Sequence, residues 1–295
     1  MAINVSALPS YVEEKKLGLI RKAVIGARTV EECNLQTGIK GDTALNLLVT
    51  DVTLGDGSNC GWDEAGTSTI SQRVLKAHPY KVNMAFCDKT LLKTWMNYDV
   101  RLAAGQKTLP FEEDFINGVV EDVQAKLEKQ LWQGTDGFAE ILAAATLAGT
   151  YTAASSDSAT KIINSTYALI PSAAFEKGDV IMFVGYDTYR IYIQELIANG
   201  NLVITNVLND VAMPSSVLIP GTNVRVTPVA GLDGQAYKAV ASYRDNFVYG
   251  TDLADDNEKF DFWYSQDNRE FRLAIEFTAG VQIAYPDLVA AAKLS

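Results

Sequence analysis

The chain has 295 residues, enough for one large domain or about two ordinary ones. With 48% hydrophobic and 21% charged residues it can bury a substantial core, which excludes a compositionally disordered protein. The formal charge of −11 argues against a nucleic-acid-binding face, which would need clustered Lys and Arg, and selects no other partner by itself.

The N-terminal stretch MAINVSALPSYVEEKK has neither the basic nor the apolar region of a secretory signal, so none is expected. Ser10 and Glu13 have capping-box spacing ahead of Leu17, Ile20 and Val24, which predicts a short helix over 10–27 on an N-terminal arm. Residues 44–54 (ALNLLVTDVTL) and 70–86 are extended candidates. Between them, GDGSNCGWDEAGTST is too rich in Gly, Asp, Ser and Asn to fill a core. Two strands joined by a long polar tip make a projecting hairpin, which is marginal alone and needs a surface to rest on.

Asp88 can cap a helix over 89–104, with Leu91, Leu92, Trp95 and Met96 facing inward and Gly105 ending it. The strongest element follows, over 109–137. Phe111, Phe115, Val119, Val123, Leu127 and Leu131 recur at a four-residue step, and Ile116 and Val120 widen that stripe into a core-facing surface. Pro110 suits the first turn, and Glu112, Glu113 and Asp114 complement the positive end of the helix dipole. Gly134 is expected in the left-handed conformation that ends a helix.

Downstream, 141–148 reads as a short helix, 151–158 as a loop and VIMFV at 180–184 as a buried strand. Asp187 is expected to cap a helix over 188–198, closed at Asn199 and Gly200. Residues 202–205 and 223–228 alternate as strands do. From Tyr237 the pattern is mostly β: YKAVASY, NFVYG, KFDFWYS and FRLAIEFTAGVQIAY, the last two joined by a turn at 266–268.

The search for chemistry nominates no catalytic, cofactor-binding or metal residue. His78 is the sole histidine and sits in the extended run KAHPYK with no partner implied, so a Ser–His–Asp site or a histidine zinc site finds no basis. Cys33, Cys60 and Cys87 match no metal or redox motif and read as small residues in a reducing compartment. Ser158 and Lys161 have Ser-x-x-Lys spacing, but in a polar loop and without a Lys-Thr-Gly companion. Asp252, Asp255, Asp256 and Glu258 form an acidic knot that reads as a solvated loop, with a calcium site or a metal-dependent hydrolase centre as the alternative. GDGSN at 55–59 lacks the lysine of a phosphate loop.

Three stretches carry a family likeness. AKLEKQLWQG at 125–134, continuing to Gly137, looks like a glutamate-bearing helix that ends in a glycine-rich turn. GDVIMFV at 178–184 precedes a helix, and NREFRLAIEF at 268–277 leads to Tyr285, Pro286 and a small-residue tail. Together with their order, these resemble the major capsid proteins of tailed double-stranded-DNA bacteriophages, the Hong Kong 97-type (HK97-like) fold.

The resemblance implies an α+β fold with an N-terminal arm (1–41) and an extended E-loop β-hairpin (42–86). A peripheral domain with a long spine helix (87–139) and an axial domain (140–235) follow, and return strands with a C-terminal tail (236–295) complete it. It implies a non-enzymatic virion protein, without cofactor, that self-assembles as hexamers and pentamers into an icosahedral head shell around packaged DNA in the bacterial host cytoplasm. A separate scaffolding protein and a portal are the expected partners, with a decoration protein optional and neither sequence-specific nucleic-acid binding nor a membrane involved. An encapsulin-type nanocompartment shell and a tail-tube subunit are the alternatives. Some family members crosslink an E-loop lysine to a neighbour, but no lysine lies between Gly41 and Leu75, so that chemistry is not carried over. Trp62, Asp63 and Glu64 at the tip are the candidate non-covalent contacts with an adjacent subunit, Trp62 as anchor. Loops within 206–220 are expected to meet around the capsomer axis.

Overall fold

The structure, a computed structural model, describes residues 15, 18, 19, 21–51, 66–87, 111–200, 216–252, 259–268 and 270–295. The expected hairpin tip, the helix over 89–104, the strand at 202–205 and most of the acidic knot lie outside these residues.

Residues 21–25 are helical, and Leu19, Ala23, Val24, Ala27 and Val30 turn inward at helical spacing. A short helix α1 (Arg28–Glu31) and strand β1 (Asn34–Thr37) follow. Among the described residues, strands β2 (Thr43–Asp51) and β3 (Thr67–Leu75) pair only with each other, in antiparallel register from Thr43 opposite Leu75 to Asp51 opposite Thr67. Strand β4 (His78–Cys87) leaves them and pairs with β12 (Glu270–Ile283). The extended run expected over 70–86 is therefore two strands, divided at Lys76 and Ala77. The division has a physical cause: Tyr80, Val82 and Phe86 alternate on β4, and only the β12 ladder lets all three reach the core.

Helix α2 (Phe111–Gln133) spans 23 residues, roughly 35 Å at the usual rise. Its stripe is buried as expected at Ile116, Val119, Val120, Val123, Leu127 and Leu131, joined by Trp132. These residues share one core with Phe262, Phe271, Leu273, Ile275 and Phe277 of the C-terminal strands. The end of the helix corrects an expectation. Gly134 N still donates to the Gln130 carbonyl at 2.8 Å, and the left-handed residue is Asp136, with φ 56°. Short polar side chains tolerate that region better than other non-glycine residues.

Next come α3 (Phe138–Ala144), β5 (Gly149–Ala153), α4 (Ala159–Ala168), α5 (Ser172–Lys177), β6 (Val180–Gly185) and α6 (Tyr186–Ala198). The loop expected at 151–158 thus opens as a strand, because its partner is distant: β5 runs parallel to β13 (Ala290–Leu294). Gly185, not Asp187, occupies the cap position of α6, while Gly200 with φ 68° closes it as expected. Strands β7 (Val217–Leu218), β8 (Arg225–Val229), β9 (Tyr237–Tyr243), β10 (Phe247–Thr251) and β11 (Lys259–Ser265) complete the described set.

A five-stranded sheet holds β1, β10, β12, β11 and β4, and a six-stranded sheet runs β5-β13-β9-β6-β8-β7. The stretch 236–295 therefore does not return wholly to the sheet under α2. Strands β9 and β13 complete the second sheet, where alanines at 239, 241 and 290–292 are buried without crowding. An aromatic cluster joins the two sheets. Trp132 lies 5.5 Å from Phe183 on β6, and Phe183 meets Phe247 on β10 edge-to-face at 5.1 Å.

Candidate interaction surfaces

Among the described residues, the hairpin β2–β3 is seated on the body at its root. Leu45, Leu47 and Leu75 are buried with Ile39, Val248 and Ala284, and side chains supply the polar ties. Gln282 donates from Nε2 to the Val74 carbonyl at 2.6 Å, and the Tyr285 hydroxyl donates to the Leu48 carbonyl at 3.3 Å. On the face opposite Leu45 and Leu47, strand alternation places Leu48 directly opposite Ile70 and Ala44 opposite Val74. That face is open: Leu48 is 56% exposed, Ile70 73% and Val74 48%. Asn46 and Gln72, joined by a 2.8 Å hydrogen bond, sit between the two apolar pairs.

The five-stranded sheet offers a second open face. Phe271, Leu273, Ile275 and Phe277 of β12 point to the core, so Arg272 and its cross-strand partners Trp263 and Ala85 point away. Trp263 is 42% exposed, and Arg272 Nε donates to Glu270 at 2.9 Å.

The chain leading into the hairpin is bolted to α2. Glu128, buried on the helix, accepts from the Thr29 amide at 2.9 Å and from the Thr29 hydroxyl. That hydroxyl in turn accepts from Trp132 Nε1 at 2.8 Å. Burial pushes the Glu128 carboxyl above its ordinary range, and the Thr29 hydrogen bonds only partly offset this. Nearby, Glu32 pairs with Arg225 at 3.0 Å, tying this segment to the second sheet.

The residues singled out from sequence fare differently. Trp62, Asp63 and Glu64 lie outside the described residues. His78, expected without a partner, has one: its Nε2 lies 3.0 Å from Asp136 Oδ2, while Lys76 Nζ donates to Asp136 Oδ1 at 2.7 Å. The Lys76 contact holds the Asp136 carboxyl below its ordinary range. Nothing in local sequence joins residues 58 positions apart, so only the fold reveals this cluster. Ser158 and Lys161 do open a helix, against expectation, but as a cap: the Lys161 amide donates to Ser158 Oγ and Lys161 Nζ pairs with Asp157 at 2.6 Å. Asp252 is buried rather than solvated, its Oδ1 without a hydrogen-bond partner among the described residues, whereas Asp255, Asp256 and Glu258 lie outside them. Cys33 is buried, and burial pushes its thiol well up, which disfavours the reactive thiolate. Among the described residues no cluster of His, Cys, Asp and Glu could hold a metal ion, and no helix is long and apolar enough to cross a membrane.

These observations describe a chain whose open features are surfaces, and its fold is that of phage capsid proteins. A chain of the satellite phage P4 procapsid including size determination (Sid) protein matches with TM-score 0.62 at 10% identity, covering 100% of this chain and 98% of that one. A chain from the capsid of the native GTA particle gives 0.61 at 11% identity over 93% and 90%. One from Microbacterium phage Oxtober96 gives 0.57 at 12% identity over 91% of each. No protein-family model and no curated protein matches the sequence.

Proposed function

We propose that the chain is the major capsid protein of a tailed phage, self-assembling into the icosahedral head shell that encloses packaged double-stranded DNA. The capsid fold supports this reading, and the hairpin β2–β3 carries it. Among the described residues, the hairpin pairs with no strand of the body and turns Leu48, Ile70 and Val74 to solvent. An apolar stripe on a projecting ribbon is a liability to a lone subunit and an anchor for a neighbour. The sheet face bearing Trp263 and Arg272 is a different surface, and its Trp and Arg are residue types enriched at binding hot spots. Unlike surfaces that meet between copies make heterologous contacts, which close into rings where the rotation between copies permits.

In this reading residues 42–75 are the E-loop and 78–87 belong to the peripheral sheet. Helix α2 is the spine, and the six-stranded sheet is the core of the axial domain. Trp62, Asp63 and Glu64 contact the adjacent subunit, and loops within 206–220 meet at the capsomer axis. Hexamers and pentamers form with a separate scaffolding protein and a portal, in the host cytoplasm. The net charge of −11 suits a container that must not clamp its DNA.

Electron microscopy of the overexpressed protein, alone and with candidate scaffolds, tests the reading. Closed icosahedral shells are expected, whereas homogeneous tubes would point to a tail-tube subunit. Enzyme cargo in place of DNA inside native particles would point to an encapsulin. Deleting residues 55–69 should leave a folded subunit that cannot make shells, and normal particles from that deletion would sink the E-loop assignment.

A further inference from the structure

The hairpin changes direction against the body at a single short connection. β3 ends at Leu75 and β4 begins at His78, so only Lys76 and Ala77 separate a ribbon that, among the described residues, pairs with nothing else from a strand built into the five-stranded sheet. Both sides of that bend are held by one carboxylate. Asp136 takes Lys76 Nζ on Oδ1 at 2.7 Å and His78 Nε2 on Oδ2 at 3.0 Å. Asp136 belongs to the turn that ends α2, and its own amide donates to Glu140 at 2.8 Å. Asp42, on the other strand's approach to the hairpin, and Glu140 add to the negative field felt by Lys76.

Asp136 is also, among the described residues, the one non-glycine residue with positive φ. Glycine or asparagine would satisfy such a backbone more easily. What glycine cannot supply is a carboxylate that reaches both sides of the bend. The residue at 136 therefore suits the side-chain contacts better than the turn.

We propose that Asp136 is the hinge latch of the hairpin. It fixes the angle of β2–β3 by tying the bend at residues 76–77 to the end of the long helix. When the latch is released, the ribbon swings about residues 76–77 and 41–42 while both sheets stay folded. This concerns the isolated chain and does not depend on the assembly reading. If that reading holds, the latch sets the angle at which the hairpin is offered to a neighbour.

The test is amide hydrogen exchange of the full-length protein, kept dilute so that it is unassembled, comparing wild type with Asp136→Gly and Asp136→Asn. Both substitutions suit a left-handed backbone and remove the charge. Exchange in 45–49 and 70–74 should quicken by about tenfold, as for loss of a charge-assisted tie, with β9 and α2 unchanged. Lys76→Ala combined with His78→Ala should reproduce the effect and add nothing further to Asp136→Gly. Unchanged hairpin exchange in the Asp136 variants, or exchange rising equally in β9 and α2, would overturn the proposal.

Discussion

Gly250 and Gly280 stand directly opposite each other across the β10–β12 ladder, and the hairpin root rests on the bare patch they make. A Cβ on Gly280 would lie 2.2 Å from the Lys76 carbonyl oxygen, and one on Gly250 would lie 2.7 Å from Ile39 Cδ1. Leu75 sits 3.0 Å from both positions. The two glycines therefore set how closely the chain approaches the sheet just before the bend.

Gly280→Ala should destabilise the protein by about 1–3 kcal/mol, because the obstructing atom is backbone and must shift. Gly250→Ala should cost less, since the end of the Ile39 side chain can move aside. Thermal unfolding checks the order, with Tm falling roughly 2–4 °C per kcal/mol in a chain of this size. Equal effects from the two variants would contradict it.

The bolt between Thr29 and Glu128 predicts a large effect from a small change. Thr29→Val keeps the shape but leaves Trp132 Nε1 and one buried carboxylate oxygen without partners, at a cost of about 2–4 kcal/mol. Thr29→Ser should recover most of that stability. Urea unfolding distinguishes them.

Glu128 also gives a pH dependence of known sign. Its folded carboxyl is held above the ordinary value of 4.5 by burial, so the folded state binds the proton more tightly than the unfolded state. The associated stability is fully present below that ordinary value and is lost as pH rises through the raised one. Carboxylates such as Asp136 are shifted down and act in the opposite direction. The difference between wild type and Glu128→Gln therefore isolates the effect. Relative to Glu128→Gln, the wild type should lose unfolding free energy as pH rises through that window, and a difference that stays constant or moves the other way would contradict the assignment.

Leu48 and Ile70 face solvent in the subunit, so Leu48→Ser with Ile70→Ser should change subunit stability by only about 0.5 kcal/mol each. The same pair should abolish particles if the stripe anchors a neighbour. Unfolding and electron microscopy of one preparation read both outcomes. Intact particles from the double variant would remove the stripe from the assembly surface.

Helix α4 begins on two supports from different places. Ser158 caps it locally, and Glu195 of α6 accepts from the Ala159 and Thr160 amides at 3.2 and 2.7 Å. Burial pushes the Glu195 carboxyl up, but those hydrogen bonds outweigh it and hold the group below its ordinary value. Its support is thus present above the ordinary carboxylate range and lost as pH falls through the lowered value. Ser158→Ala should cost about 1 kcal/mol and Glu195→Ala about 1–2 kcal/mol, measured by urea unfolding at neutral pH.

By itself, the sequence determined the elements whose signal is local. The stripe of α2 and the alternation of β12 each declare a period, β6 is a short apolar run bounded by turn residues, and each formed as expected. The likeness to capsid proteins also rested on the order of those elements. What only the tertiary structure decided depended on residues far apart in the chain. β5 became a strand because β13 lies beside it, and the run over 70–86 divided because β12 draws its second half away from β2. His78 gained Asp136, and Glu128 became a buried acceptor for Thr29. Periodicity reports which face of a segment is apolar, but not which distant segment meets it. The ties that position the hairpin are all contacts of that second kind.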